Sequence, residues 1–579
     1  MIRRPGIRRG TVLVALAAVL MTATAACSTV PASSPTVQIT EAPVRPSEDV
    51  GIEPLSPAPG APPEDIVRGF IEAAASTVPA HPIAREYLAA SAKKSWSDET
   101  GITVISPDYA AVTTQEGSVT VTAHLVGTID QRGVFSVGGE DDFIRQYSLE
   151  QVGHEWRITD PAGGLVIAQP DFERLYRLRS AYFLDLTGQR MVPDPRYLIT
   201  GEAQPTALVE RLLDGPSSAL AAGVRNPLSG VELRRTITIE DQSAVVDLTG
   251  LATDPAPVLS EICAQLVWTL EQLRIRTVEI RVDGEPVHIS GIPEEQTVDD
   301  WASFDPEAMP VDAVGHYVDN GALKTVPKGQ PAPGPAGTGT YGLTSAAVSA
   351  DPRTGSLSFV VAVRSQNGKV SLLAGPYGKT LATVLNGSSF SPPSVAATRS
   401  EAWVIRNGTE VIRVPAGASP QAVSAPTLAG LGRAEQLELS PDGARAAAVV
   451  DGPQGPALYV GTIVRAEDGG VALRDLREIA PSLSQVSDVA WQDGGSLYVL
   501  AGDPAEDRTV PYLVGVDGWG LTQVPTSGLP SQPTSIGAAP ARLPLVSAGN
   551  RIWQLASGTW ITLVRGAEPL PGREPFYPM

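Results

Sequence analysis

Leu437-Glu438-Leu439-Ser440-Pro441-Asp442-Gly443, followed by Ala446-Ala447-Ala448-Val449-Val450, reads as a strand, a tight turn and a second strand. Pro, Asp and Gly set the turn between two short apolar strands. The pattern returns at Ser487-Asp488-Val489-Ala490-Trp491-Gln492-Asp493-Gly494 with Leu497-Tyr498-Val499-Leu500 behind it. Five such segments are anchored at Val348, Val395, Leu439, Val489 and Ile536, at spacings of 44 to 50 residues. Each runs on into another hairpin, so the repeating unit holds about four strands. A period in the forties with four strands per unit is that of a β-propeller blade. The hairpin at 316–326 and a terminal strand near Phe576 together complete a sixth, so the expectation is an all-β propeller of five or six blades over 311–579. Pairing the two chain ends would close the ring and remove exposed sheet edges.

Outward from this region the chain is too long for one domain. Its 579 residues argue for three or four domains, and a hydrophobic fraction of 42% supplies real cores. With 43 basic and 63 acidic side chains the net charge is -20, and only six of the basic residues are lysines. That balance excludes nucleic acid as a partner, because binding a polyanion needs a concentrated positive surface.

Two mixed units precede the propeller. The first, α+β over 64–168, opens with Ile66, Val67, Phe70, Ile71 and Ala74 at helical spacing, continues with a second helical piece at 87–96, and then turns to strands at 118–125, 143–151 and 156–158. Gly153-His154-Glu155 joins the last two as a tight turn, which leaves His154 in solvent. Helices followed by an antiparallel sheet loosely resemble cone-shaped NTF2-like domains. The second unit, over 169–310, mixes strands at 181–185, 245–248 and 278–282 with helices at 206–213 and 261–273 and is read as α/β. Its first helix should stop at Gly215-Pro216.

At the N-terminus, Arg3, Arg4, Arg8 and Arg9 precede the apolar run 12–21 and small residues up to Cys27. This is the order of a secretory signal peptide over 1–26, and the apolar run is about half the roughly 20 residues a membrane-crossing helix needs. Thr24-Ala25-Ala26-Cys27 resembles a bacterial lipobox, with Thr24 where an aliphatic residue is usual. The resemblance implies that Cys27 is diacylated and becomes the new N-terminus. From Ser28 to Pro63 there are nine prolines in 36 residues, so 27–63 reads as a tether reaching at most about 110 Å if extended. The second cysteine, Cys263, sits among apolar residues at helical spacing and reads as a buried small hydrophobe.

Leu212-Leu213-Asp214-Gly215-Pro216, Val246-Asp247-Leu248-Thr249, Ala264-Gln265-Leu266-Val267-Trp268-Thr269-Leu270 and Val282-Asp283-Gly284 follow one another over about a hundred residues. In that order they resemble the GerMN domain of envelope and spore-associated lipoproteins, a binding or assembly module without catalysis. The Ser-Pro-Asp-Gly turn resembles that of TolB-like propellers. Lipobox, tether, α+β unit, GerMN-like domain and propeller together resemble the LpqB family of actinobacterial lipoproteins across essentially the whole chain. That resemblance implies a lipid-anchored protein on the extracytoplasmic face of the cell membrane. Its implied partner is the extracytoplasmic sensor domain of the MtrB histidine kinase, through which it influences two-component signalling and envelope homeostasis.

No catalytic, cofactor or metal residues are assigned. Gly337-Thr338-Gly339-Thr340-Tyr341-Gly342 has dinucleotide-fingerprint spacing but precedes a strand, where the fingerprint needs a helix. Ser91-Ala92-Lys93-Lys94 contains Ser-x-x-Lys, yet Lys-Thr-Gly occurs nowhere. The Asn-Gly pairs at 386 and 407 read as hairpin turns, and His81, His124, His154, His288 and His316 never reach metal-ligand spacing. Two alternatives from other classes stay open. A propeller hydrolase would need carboxylates converging on the central strands, whereas Asp442 and Asp493 read as solvated turn residues. A cell-wall glycan binder would need an exposed aromatic platform, for which Trp491, Trp519, Trp553 and Trp560 are available.

Overall fold

All five repeat anchors lie on innermost strands of successive antiparallel sheets, the first four four-stranded and the one with Ile536 five-stranded, in a computed structural model that describes residues 54–139, 142–251, 256–503, 505 and 507–579. These inner strands are Leu343–Ala350, Ser394–Ala396, Arg433–Leu439, Ser484–Trp491 and Pro533–Gly537, and each touches the next. A sixth sheet takes Arg573–Phe576 as its inner strand and then His316–Asp319, Ala322–Thr325 and Gln330–Pro331. His316 pairs with Phe576 and Val318 with Arg573. The propeller therefore has six blades, closed by its two ends.

The alternation within Arg445–Gly452 shows why the apolar runs are unbroken. Ala446, Ala448 and Val450 pack in the core on one side of the blade, while Ala447 and Val449 pack in the next inter-blade core. Both faces are inside, and alanines let neighbouring blades approach. At the closure, His316 is fully buried and burial pushes its imidazole down to about 4. The neutral ring donates from Nδ1 to the Val314 carbonyl at 2.8 Å and accepts at Nε2 from the Tyr377 hydroxyl at 2.9 Å.

In the first domain the helix Pro63–Ala74 buries Ile66, Val67, Phe70 and Ile71 against a sheet ordered Glu155–Ile158, Asp142–Val152, Ser118–Ile129, Ile102–Ile105, Leu165–Ala168. Two expectations change here. The helical piece expected at 87–96 shrinks to Ala90–Ser95, preceded by a separate short helix Pro82–Glu86, and between the two Leu88 bridges to Ile158. The folded unit also exceeds 64–168: Ala61, Phe172 and Leu175 belong to the same core, so its packing begins inside the expected tether and ends past the expected boundary.

The second domain has one sheet of Val224–Arg225, Tyr176–Asp185 and Met191–Ile199, and another centred on Ser243–Thr249 parallel to Thr277–Val282. The helix Ala256–Glu271 lies between those parallel strands in sequence and buries Ile262, Cys263, Leu266 and Leu270. Cys263 is completely enclosed, and burial pushes its thiol up to about 12. Asp283 and Gly284 both have positive φ, 52° and 92°, as a two-residue hairpin turn requires, and Gly284 N–H donates to the buried Asp247 carboxylate at 2.9 Å. The Asn-Gly readings divide. Asn407-Gly408 is a turn with φ 58° and 80°, whereas Asn386-Gly387 lies inside the outer strand Ala382–Gly387, where Asn386 accepts from the Ser371 hydroxyl.

Deleting residues 570–579 removes the strand that bonds to His316–Asp319 and exposes two inner edges. The shortened protein is expected to be cut by protease throughout 311–579 under conditions that leave the full chain intact. Equal resistance would place closure elsewhere.

Candidate functional site

The sequence Gly515-Val516-Asp517-Gly518-Trp519-Gly520 turns the chain between two strands of the fourth blade and puts a tryptophan at the tip. Asp517 Oδ1 accepts from Trp519 N–H at 3.0 Å, and Gly518 N–H donates to the Gly515 carbonyl at 2.9 Å. Gly518 has φ 95°, and a Cβ there would stand 2.4 Å from the Ile479 carbonyl oxygen, so only glycine fits. Held in this turn, the indole meets Phe135 at 5.0 Å, Phe172 at 5.1 Å and Tyr197 at 5.6 Å, all edge to face. Phe135 and Phe172 come from the first domain and Tyr197 from the second. Three domains share one aromatic joint.

Polar contacts surround the joint. Tyr197 donates its hydroxyl to Asp517 Oδ2 at 3.1 Å, and burial together with the Asp517 charge drives the phenol far above its ordinary value. Arg132 of the first domain donates to the carbonyls of Asp214 and Gly215, both at 2.5 Å. It thereby covers the carbonyl end of the helix Gln204–Leu213. Arg445 of the third blade donates to the Pro193 carbonyl at 2.8 Å and to the Gly494 carbonyl of the fourth blade at 3.3 Å. The Thr462 hydroxyl donates to Ala219.

Beneath these contacts, Arg196 is fully buried and donates to Asp194 Oδ2 at 2.9 Å, while Ser217 bonds both Asp194 oxygens from its N–H and hydroxyl. Burial alone would raise the Asp194 carboxyl, but the Arg196 guanidinium and its hydrogen bond hold it below the ordinary value. Asp442, expected in solvent, is instead 1% exposed. The second domain covers its turn, Oδ1 accepts from the Ser440 hydroxyl at 2.6 Å and from Ala444 N–H at 2.9 Å, and burial raises its carboxyl. A cavity of about 530 Å³ opens beside the joint, between His124, Phe135, Val137 and Glu173 on one wall and Ile479 and Trp519 on the other.

The propeller axis is a second place where titratable groups gather. Glu438, Asp488 and Glu574 stand on three inner strands, and none of them was singled out from sequence. Glu438 and Glu574 show some surface to the channel yet are enclosed by blades. Burial, with Glu574 as a neighbouring charge, pushes Glu438 up to about 8, and burial pushes Glu574 up to about 7. Burial, with the charge of Glu574, also raises Asp488 well above its ordinary value. Glu438 Oε2 accepts from the Ser394 hydroxyl at 2.7 Å, and Asp488 Oδ2 accepts from Ile536 N–H of the next blade at 2.8 Å. These carboxylates fasten blade to blade. The space left among Trp491, Phe576, Tyr577 and Met579 is about 50 Å³, enough for one or two waters and too small for a sugar or peptide. Among the described residues no three His, Cys, Asp or Glu side chains stand where they could hold a metal ion.

Residues 321–578 match the family model described as the lipoprotein LpqB beta-propeller domain, and residues 56–173 match the lipoprotein LpqB N-terminal domain. Residues 180–288 match a domain of sporulation and spore germination. Lipoprotein LpqB of Mycobacterium tuberculosis (strain CDC 1551 / Oshkosh) is 30% identical over 92% of each chain. The chain belongs to the LpqB lipoprotein family. Lipoprotein LpqB of Rhodococcus opacus (strain B4) is 29% identical over 98% of this chain and 99% of its own. Among solved structures, TolB from Acinetobacter baumannii is 11% identical with a TM-score of 0.30, over 60% of this chain and 99% of that one, a likeness too slight to carry an assignment.

Within this LpqB-family chain, Cys27 and the tether residues up to 53 lie outside the described residues. His154 is exposed, as its turn position implied. The four tryptophans do not make a glycan platform. Trp491 and Trp560 are 2% exposed, the half-buried Trp553 donates to the Ala548 carbonyl, and Trp519 is seated in the joint. The signal for the joint was present in sequence, since a tryptophan between two turn glycines has no blade core to enter.

Trp519→Ala is expected to cost about 2 to 3 kcal/mol, less than a fully buried tryptophan because part of the ring meets the cavity. Calorimetry should show the first domain melting separately and earlier. For the axis, the folded chain keeps protons on Glu438 and Glu574 at pH values where the unfolded chain has lost them, so stability falls as pH rises from about 5 to about 8. Glu438→Gln keeps an acceptor for Ser394 and removes one titration. The melting temperature of the variant should decline less over this window and exceed that of the parent at pH 8.5.

Proposed function

We propose that this protein is a lipid-anchored accessory of the extracytoplasmic membrane face, attached through Cys27, that docks on the sensor domain of an MtrB-like histidine kinase and modulates its output without chemistry of its own. The observation that carries this reading is the aromatic joint at Trp519. It fixes three domains, each of a kind suited to binding, as one body with a set relative orientation. A body of that kind presents a composite surface to a partner at no further ordering cost. Family membership supports the lipoprotein assignment, and no helix among the described residues is long and apolar enough to cross a membrane. Anchoring confines both proteins to one surface, so effective concentration lets modest affinity suffice.

The hydrolase reading has one feature in its favour, the carboxylates on the axis, and their raised pKa values are those of proton donors. The narrow space at the axis weighs against it, because only about 50 Å³ remains among Trp491, Tyr577 and Met579.

Soluble protein lacking residues 1–26 should associate with the purified sensor domain, and the anchored protein should change kinase phosphorylation in reconstituted membranes. Cys27→Ser should abolish the membrane effect while leaving association in solution intact. Absence of both association and effect would overturn the accessory reading. Hydrolytic turnover lost in Glu438→Gln would replace it with the enzyme reading.

A further inference from the structure

The cavity of about 530 Å³ beside the joint has the size of a ligand pocket. One wall, from the first domain, presents Val126, Gln169 and Glu173, and the other, from the fourth blade, presents Trp519, Leu521 and Thr522. Among the described residues lining it, Glu173 carries the one carboxylate and none is a lysine or an arginine.

The helix Gln169–Leu175 sets that carboxylate in place. Four residues apart, Gln169 and Glu173 share a helix face, and Gln169 Nε2 donates to Glu173 Oε1 at 2.9 Å. The bond orients Glu173 and leaves its Oε2, together with the Gln169 carboxamide oxygen, without a partner among the described residues. Both are acceptors. The nearby cations are engaged elsewhere: Arg174 Nη2 donates to Asp171 at 2.8 Å, and Arg177 donates to the carbonyls of Glu173, Arg174 and Tyr176. His124, the lining residue able to gain a proton, has Asp142 directly across the sheet. The cleft therefore favours a cation over an anion.

A guanidinium is the cation these walls suit. Its planar fork of donors serves two neighbouring acceptors at once, and its weakly hydrated faces tolerate apolar walls better than an ammonium does. The propeller side is shaped for a chain. Thr522–Gln523 is the outermost strand of the fourth blade, paired with Arg508–Gly515 on one side, so its other edge is free to pair with an extended segment. Beside Trp519, Gly520 has φ 71° and a Cβ there would meet nothing within 4 Å, which leaves bare backbone open to approach.

We propose that this cleft takes an arginine side chain from an extended segment of another protein. Its guanidinium donates to Glu173 Oε2 and to the Gln169 carboxamide oxygen, its aliphatic stem lies against Trp519 and Leu521, and the segment's backbone runs along the free edge of Thr522–Gln523. Lysine offers a compact, strongly hydrated charge in place of the fork, and citrulline keeps the shape without the charge. The assignment does not rest on the kinase reading, since any protein that presents such a segment qualifies.

The test is saturation-transfer NMR of acetyl-Leu-Arg-Leu-amide, its citrulline and lysine counterparts and methylguanidinium, with the full chain in nanodiscs of zwitterionic lipid. The arginine peptide should bind saturably, at least tenfold more tightly than the citrulline peptide and methylguanidinium and severalfold more tightly than the lysine peptide. Glu173→Gln, at an exposed position, keeps an acceptor for Gln169 and removes the charge. It should cancel the preference over citrulline with an unchanged melting temperature. Glu150→Gln, at an exposed carboxylate of the same domain that does not line the cavity, should preserve the preference. Any of the other three probes binding as tightly as the arginine peptide would overturn the proposal, as would a preference that survives Glu173→Gln or disappears in Glu150→Gln.

Discussion

A ring of blades has two loose ends, and the backbone bonds between Arg573–Phe576 and His316–Asp319 tie them together. Bringing residues some 250 apart in sequence into register costs about 5 kcal/mol of chain entropy by the logarithmic law. Burial at the seam offsets that cost. His316 stacks on Phe576 at 5.6 Å, the Tyr577 hydroxyl donates to the Leu543 carbonyl at 2.7 Å, and Met579 exchanges backbone bonds with Val348 and Ala350 of the neighbouring blade. The same residues that close the ring fill its axis. Stability and an open channel are therefore in conflict here, and the chain resolves the conflict in favour of a plugged, rigid propeller.

Rigidity at the axis matters because the other two domains are mounted on the third and fourth blades. Arg445, Thr462 and Trp519 all project from those blades toward the second or first domain. Gly494 shows how tight the seat is, since a Cβ there would stand 2.8 Å from Asp442 and 2.9 Å from Pro193. The buried Arg196–Asp194 pair lies beneath the same seat. A buried pair of this kind contributes little net stability, yet losing one partner strands a charge and costs about 3 to 5 kcal/mol. It therefore specifies the arrangement more than it strengthens it.

The propeller was legible because its signal is repetitive. Val348, Val395, Leu439, Val489 and Ile536 recur at a spacing that only stacked four-stranded units produce, and each of them is on an inner strand. Glu438, Asp488 and Glu574 were not legible, since they lie on three different blades and only ring closure brings them to one axis. Asp442 was misplaced for a related reason. Its Ser-Pro-Asp-Gly turn looks solvated until a domain more than 200 residues upstream covers it. The spacing of His81 from the other histidines says nothing of its pairing with Asp98 or of its left-handed backbone, neither of which sequence patterns encode. Local periodicity shows in the string of residues; contacts made across domains do not.

The axis and the outer surface also differ in what they can do. The space of about 50 Å³ at the axis holds two of its carboxylates as structural links, Glu438 on the Ser394 hydroxyl and Asp488 on N–H groups of its own and the neighbouring blade. Chemistry there would require the inner strands to part, and those strands are what the closure holds together. The surface carries no such cost. Three domains joined at Trp519 offer grooves at their seams, and a partner that reads two domains at once gains specificity from an orientation the joint has already fixed. With little space at the axis and the domains held at one joint, the exposed seams between domains are where another molecule can reach this one.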